Sequence, residues 1–133
     1  MAQPMPSASE LLGQRRRVLV TGGAGFIGGA VVRRLLREST AIVFNLDKMG
    51  YASDLTSIEE VLAELGEAGA NRHHLLKIDL SDADAVNAAV READPDLVMH
   101  LAAESHVDRS ISGPGVFVES NVNGTYNLLQ AVR

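Results

Sequence analysis

Cysteine is absent from the 133-residue chain, and this absence excludes disulfide bonds, thiolate zinc sites and cysteine nucleophiles. No apolar run approaches the roughly 20 residues that a membrane-spanning helix needs. The N-terminal stretch MAQPMPSASELLGQRRR lacks the basic start, apolar middle and small-residue cleavage site of a signal peptide, so we expect a cytoplasmic protein. Basic residues are outnumbered by acidic ones, 12 to 17, and the net charge of −5 argues against nucleic acid as a main partner.

Two apolar patterns alternate along the rest of the chain. Runs typical of buried strands cover Arg17–Val20, Ala41–Leu46, His74–Ile78 and Asp96–Leu101. Apolar residues at helical spacing follow them, in the sets Ile27, Val31 and Leu35; Leu55, Ile58, Leu62 and Leu65; Ala83, Val86 and Val90; and Val118, Val122, Thr125, Leu129 and Val132. The alternation predicts an α/β fold: a Rossmann-like, doubly wound parallel sheet of strand order 3-2-1-4 with helices on both faces.

Composition and local signals divide the chain further. Residues 1–14 are rich in Ser, Pro, Ala and Gln and are expected to form a flexible tail, which leaves residues 15–133 as one domain. Ser57 and Glu60 have the spacing of a capping box, and Ser81 is placed to cap the following helix. A complete doubly wound dinucleotide fold has two more strands, so we expect this domain to be incomplete.

The most informative stretch is VLVTGGAGFIGG, Val18–Gly29, in which five of the eight residues after Thr21 are glycine. Gly22, Gly25 and Gly28 give it the spacing T-G-x-x-G-x-x-G. The first glycines permit a tight turn, Gly25 lets the backbone approach a pyrophosphate, and Gly28 lets the helix pack against the strand. Because the motif follows a predicted strand and precedes a predicted helix, it predicts a dinucleotide phosphate site; a plain turn is the alternative.

Acidic residues follow two of the predicted strands. Asp47 ends the second strand, 19 residues after Gly28, where a carboxylate can accept both ribose hydroxyls of an adenosine. Such a carboxylate repels a 2′-phosphate and favours NAD over NADP, although the adjacent Lys48 softens that preference. Asp79 follows the third strand and is placed to accept from the adenine amino group, with Leu80 beside the ring. A strand-end or helix-entry role is the alternative for the two aspartates.

The segment HLAAESHVDRS leaves the fourth strand and is crowded with polar residues. Ala102 and Ala103 are small enough to let a cofactor approach closely. A Ser/His/Asp triad is not expected, because Ser105 and His106 are sequence neighbours whose side chains diverge in an extended loop. His100 lies within an apolar strand and is expected to be a core histidine with satisfied hydrogen bonds.

Together these motifs resemble the extended short-chain dehydrogenase/reductase superfamily, through TGGAGFIG, the pair Asp79-Leu80 and the letters HLAA. Three longer stretches, NLDKMGYASDL, AAESHVDRSI and FVESNVNGTYNLL, resemble the dTDP-glucose 4,6-dehydratase family within it. The resemblance covers essentially everything after the tail. It implies that residues 15–133 are the N-terminal, NAD-binding part of such a dehydratase.

The resemblance also implies residue roles, with NAD as the cofactor and a nucleotide sugar, dTDP-glucose, as the substrate. Cofactor-binding residues would be Gly22, Gly25, Phe26, Ile27, Gly28, Asp47, Lys48, Met49, Gly50, Asp79, Leu80, Leu101, Ala102, Ala103 and Ser120, and Ser105 would contact the substrate. In the implied reaction hydride leaves sugar C4 for NAD, water is eliminated across C5–C6, and the hydride returns to C6. A family-like homodimer would use the last helix.

One part of the family pattern is missing. The family oxidises the sugar with a Tyr-x-x-x-Lys pair, but neither Tyr51 nor Tyr126 has a lysine four residues on. The Thr and Asp-Glu pair of the family are missing as well, so no catalytic residue is assigned, and His73 and His74 lack partners at metal-ligand spacing. The alternatives are the same portion of another sugar-nucleotide epimerase, decarboxylase or dehydratase, or an inert nucleotide-binding protein.

Overall fold

The computed structural model describes residues 5–50, 53–102 and 124–133. Its strands are β1 (Arg17–Thr21), β2 (Ile42–Leu46), β3 (His73–Leu76) and β4 (Leu97–His100). The helices in these ranges are α1 (Ala8–Leu12), α2 (Phe26–Glu38), α3 (Thr56–Leu65), α4 (Glu67–Ala70), α5 (Ala83–Ala93) and α6 (Gly124–Val132). None of these helices combines the length and the apolar character needed to cross a bilayer.

The four described strands are parallel and lie in the order β3-β2-β1-β4, which confirms the predicted sheet. Thr21 at the end of β1 is level with Leu46 of β2 and His100 of β4. Leu46 is in turn level with Leu76 of β3. All four strands therefore end together, and the chain leaves them at one edge of the sheet, where ligands bind in doubly wound folds.

The sheet separates two apolar clusters. Along β1, Val18 and Val20 pack with residues of α2 and α3, whereas Leu19 packs with residues of α5 and α6. This division follows from strand geometry, because successive side chains point to opposite faces. All three side chains are fully buried. Helices thus cover both faces of β1, as the continuous apolar character of that strand predicts.

The N-terminal residues differ from the expected tail. Residues 8–12 form α1, and Ala8 and Leu12 are buried in the cluster that contains α2. The backbone N–H of Ala8 donates to Glu38 Oε1 at 2.9 Å, and the Arg34 guanidinium donates to the Pro6 carbonyl at 2.7 Å. The hydrogen bond from Ala8 and the adjacent Arg34 lower the pKa of the Glu38 carboxyl below its usual value. A single apolar pair such as Ala8 and Leu12 gives too weak a periodicity to predict a helix from the sequence.

Neither predicted helix cap is present in the structure. The N-cap of α3 is Leu55, no side chain caps this helix, and Ser57 lies inside it. Asp54, one residue before the N-cap, accepts through Oδ1 from the backbone N–H and the hydroxyl of Thr56, at 2.9 and 2.7 Å. At α5, the cap is Asp82, whose Oδ1 accepts from a backbone N–H at 3.1 Å, and not Ser81. Ser81 and Asp82 are both chemically able to cap α5, so the residue types alone do not decide which of them does so.

The apolar face predicted for α6 is rotated by about one residue. Leu128 is buried, whereas Leu129 and Val132 are 60% and 42% exposed. Val118 and Val122, predicted to belong to the same stripe, lie outside the described residues. The apolar spacing fixes a helical period, but the neighbouring α5 and β4 decide which side of the helix is covered.

Candidate functional site

The glycine-rich turn joins β1 to α2 at the carboxyl edge of the sheet. Gly22 has φ +72°, and its backbone N–H donates to the Leu46 carbonyl at 2.8 Å. A Cβ at this position would lie 2.7 Å from the backbone N and Cα of Ala102. Gly22 therefore needs both a left-handed backbone and an open side, which only glycine supplies. The turn therefore packs between the end of β2 and the residues that follow β4.

Gly28 closes the turn from the other side. A Cβ on Gly28 would collide with the carbonyl oxygen of Gly22 and lie 3.0 Å from the Cα of Gly23. The sequence predicts that this glycine lets the helix approach the strand. In the structure its contact is with the turn itself, so the first and last glycines of the motif are fitted to each other.

The N terminus of α2 presents the groups that an anion requires. Its N-cap is Gly25, whose backbone N–H donates to the Gly22 carbonyl at 3.0 Å. No side chain caps this helix end, and its first turn carries no acidic residue. Phe26 and Ile27 are 95% and 66% exposed, so Ile27 does not belong to the predicted buried stripe. The exposed helix start and its dipole favour a phosphate.

Asp47 follows β2 directly and lies beside the glycine-rich turn, as predicted. The residue is only 7% exposed. Its Oδ2 accepts from the backbone N–H of Ala24 at 3.0 Å, which joins the carboxylate to the turn. Its Oδ1 accepts from the backbone N–H of Met49 at 2.7 Å and from the Ser53 hydroxyl at 2.8 Å. The carboxylate that is predicted to hold ribose thus already accepts three hydrogen bonds within the chain.

Met49 and Ser53 both lie against the Asp47 carboxylate. Met49 has φ +59°, a left-handed conformation that is uncommon for a residue other than glycine. Lys48 and Gly50 are exposed, and the Ser53 backbone N–H donates to the Gly50 carbonyl at 3.2 Å. The Ser53 side chain thereby lies within hydrogen-bond distance of the Asp47 carboxylate. Sequence reasoning did not single out Ser53, because no local pattern links it to a residue six positions earlier.

Asp79 and Leu80, predicted to hold adenine, differ in exposure. Asp79 is exposed, and its Oδ1 accepts from the Ser81 backbone N–H and hydroxyl, both at 2.9 Å. The hydrogen bond from the Ser81 backbone, aided by the positive charge of Lys48, lowers the pKa of the Asp79 carboxyl. Leu80 is buried against Gly124 and the α5 cluster, so little of its side chain faces outward. Of the two residues, therefore, only Asp79 is exposed to a ligand.

A chain of hydrogen bonds links the ends of β1 and β4 to α6. Thr21 Oγ1 accepts from the backbone N–H groups of Leu101 and Ala102, at 3.0 and 3.2 Å. With both lone pairs used, the Thr21 hydroxyl donates its proton to His100 Nδ1 at 2.6 Å. A neutral ring then carries its proton on Nε2, which donates to Thr125 Oγ1 at 2.8 Å. His100 is half-buried with both nitrogens bonded, which confirms the expected core histidine.

We expect His100 to make the fold less stable as the solution is acidified. Burial lowers the pKa of His100 below its value in the unfolded chain, about 6.5. The unfolded state therefore binds more protons just below pH 6.5, so stability is full above that pH and declines as the pH falls through the folded pKa. Urea unfolding between pH 7.5 and 5 should show this decline, and His100→Asn should reduce its slope. An unchanged slope would contradict the assignment.

The comparisons with known proteins agree with this geometry. A family model described as GDP-mannose 4,6 dehydratase matches residues 19–133. The chain belongs to that family. It is 44% identical over 117 residues to the dTDP-glucose 4,6-dehydratase of Salmonella typhimurium, covering 88% of this chain and 31% of that protein. The chain thus spans about a third of the length of the curated relatives it matches.

Solved structures show the same relationship. A double mutant of the dTDP-glucose 4,6-dehydratase from Streptomyces venezuelae, with NAD bound, is 41% identical, with a TM-score of 0.75 over 87% of this chain and 35% of that one. The UDP-glucose 4-epimerase of Stenotrophomonas maltophila, also with NAD bound, is 29% identical, with a TM-score of 0.73 over 88% of this chain and 33% of that one. The Rossmann-like fold of this family member is therefore shared by enzymes of two activities.

The remaining predicted site residues of this dehydratase-family chain divide into two groups. Leu101 is 37% exposed and Ala102 is half-buried, and both are held by Thr21 beside the glycine-rich turn. Ala103, Ser105 and Ser120 lie outside the described residues, and their roles stay predictions.

Histidine and carboxylate groups do not gather into a metal site in the part of the chain that the structure describes. The His73 ring lies 3.3 Å from Asn45 Nδ2, and burial lowers the pKa of His73. The His74 ring stacks on Phe44, with 5.2 Å between the ring centroids. Both histidines therefore have structural contacts on β3.

Proposed function

We propose that this chain is the NAD-binding portion of a nucleotide-sugar dehydratase that converts dTDP-glucose to dTDP-4-keto-6-deoxyglucose. The observation that carries the proposal is the meeting of three features at one sheet edge: the uncapped start of α2, the closely fitted glycines of the turn, and the Asp47 carboxylate bonded to that turn. An adenosine diphosphate group needs an anion site and a diol acceptor a short distance apart.

The residues present fit NAD. Gly25 leaves the backbone at the helix start open, and the N–H groups of Phe26 and Ile27 would hold the pyrophosphate. Asp47 would accept from the adenosine ribose, and Asp79 would accept from the adenine amino group. Leu101 and Ala102 would line the nicotinamide ribose, with their position fixed by Thr21. Bound NAD supplies reversible hydride acceptance, which the side chains themselves cannot provide.

The choice of dehydratase rests on the relatives. The curated dehydratases are 43–49% identical to the chain, whereas the UDP-glucose 4-epimerase structures from Stenotrophomonas maltophila and Thermus thermophilus are 29% and 36% identical. Because the chain holds no Tyr-x-x-x-Lys pair, we expect no turnover of dTDP-glucose by these 133 residues alone. The homodimer and the cytoplasmic location belong to the proposal for the whole protein.

Calorimetric titration of the 133-residue chain with NAD and with NADP tests the proposal. We expect NAD to bind at least about tenfold more tightly, since the buried carboxylate repels a 2′-phosphate. Gly25→Val should abolish NAD binding, because the added side chain covers the helix start, while the circular dichroism spectrum stays near that of the unchanged chain. Equal affinity for the two cofactors, or full binding by Gly25→Val, would refute the assigned site.

A further inference from the structure

The hydrogen bonds of Asp47 leave too little acceptor capacity for a ribose diol. A carboxylate offers about four lone-pair sites, and three are taken by Ala24, Met49 and Ser53. Two ribose hydroxyls need two sites. The diol can therefore bind in full only if one of the three internal donors leaves the carboxylate.

The three donors differ in how firmly the fold holds them. The Ala24 N–H belongs to the glycine-rich turn, and the Ala24 carbonyl is fixed in addition by the backbone N–H of Asp54 at 2.8 Å. The Met49 N–H lies two residues from Asp47, in a left-handed backbone conformation that the close hydrogen bond stabilises. Moving either group would require a change in the main chain. The Ser53 hydroxyl is released by rotation about a single side-chain bond.

We propose that the Ser53 hydroxyl occupies, in the cofactor-free protein, the site on Asp47 that a ribose hydroxyl takes on binding. The inference rests on the proposed function, because the ligand is the adenosine ribose of NAD. Ser53 then lowers the affinity for NAD by competition. Its hydroxyl donates to the nearly buried carboxylate when no nucleotide is bound, and a binding nucleotide must displace it. The ligands affected are nucleotides with a free 2′,3′-diol.

The sign of the effect distinguishes competition from an ordinary binding contact. Removing a hydroxyl that contacts the ligand weakens binding, whereas removing a competitor strengthens it. Because water can replace the lost hydroxyl on the carboxylate, we expect only the net value of an ordinary hydrogen bond, about a three- to tenfold change in affinity. Ser53→Ala should therefore bind NAD about three- to tenfold more tightly than the unchanged chain. Its melting temperature without nucleotide should be lower, because the carboxylate loses a donor.

The experiment titrates the unchanged chain, Ser53→Ala and Ser53→Thr with NAD, ADP and 2′,3′-dideoxy-ADP. Ser53→Thr keeps the hydroxyl and is expected to match the unchanged chain. In Ser53→Ala, binding of NAD and ADP should tighten, and binding of the dideoxy nucleotide should not, since that nucleotide has no hydroxyl to displace Ser53. If Ser53→Ala does not fold, Ser53→Cys replaces it, because a thiol is a weak donor of similar size.

Each outcome decides the question. Unchanged or weaker NAD binding by the alanine variant overturns the competition, and so does equal tightening for the dideoxy nucleotide. Those results leave the proposed function intact, because the unchanged chain still binds NAD. Failure of the unchanged chain to bind either NAD or ADP overturns the proposed function, and the competition with it.

Discussion

Gly28→Ala is expected to lower the free energy of unfolding by about 3 kcal/mol or more and to abolish NAD binding. The new Cβ would collide with the carbonyl oxygen of Gly22, which is part of the main chain and is fixed by the hydrogen bond from Gly25. Relief requires moving either the turn or the start of α2. Either movement disrupts the proposed phosphate site.

Gly29→Ala is the matched control, one residue further along α2. A Cβ there would meet only the Arg33 guanidinium and the Gly23 carbonyl, each at 3.5 Å, which is ordinary contact. Replacing a helical glycine by alanine removes backbone entropy from the unfolded chain, so this variant should be stabler by up to about 1 kcal/mol. Urea unfolding of both variants measures the difference. Equal stability of the two would mean that the turn is not packed as described.

Asp47→Ala is expected to lower both stability and NAD affinity. The carboxylate accepts hydrogen bonds from Ala24, Met49 and Ser53, and two of these donors are backbone groups that would be left without it. Because single hydrogen bonds to charged groups contribute about 1.5–3 kcal/mol and are not additive, we expect a loss of about 3 kcal/mol in unfolding free energy. The affinity for NAD should fall by about 1–3 kcal/mol, as the ribose loses its acceptor.

Asp79→Ala separates the effect on stability from the effect on NAD affinity. Its carboxylate is exposed and bonds only to neighbouring Ser81 among the contacts described, so the unfolding free energy should change by less than about 1 kcal/mol. A modest loss of NAD affinity is expected if the residue holds adenine. Denaturation and calorimetry on both aspartate variants complete the test. Full NAD affinity in Asp47→Ala would exclude the carboxylate as the ribose acceptor.

The sequence by itself determined the sheet and the edge at which the glycine-rich turn and Asp47 meet. Continuous apolar runs such as Val18–Val20 specify buried parallel strands, and this pattern is local, so strand order and helix coverage could be predicted. The motif from Gly22 to Gly28 and the position of Asp47 were predictable for the same reason. Each depends on spacing along the chain and on the rule that parallel strands end at one edge.

Only the tertiary structure decided how the groups at that edge are used. The Met49 N–H, the Ser53 hydroxyl and the Ala24 N–H of the glycine-rich turn converge on Asp47, and no one-dimensional pattern specifies which lone pairs remain. The rotation of α6, the start of α3, the cap at Asp82 and the helix at residues 8–12 also depend on contacts between segments. Periodicity sets the type of an element, but its phase, its exact ends and its hydrogen-bond partners follow from what packs against it.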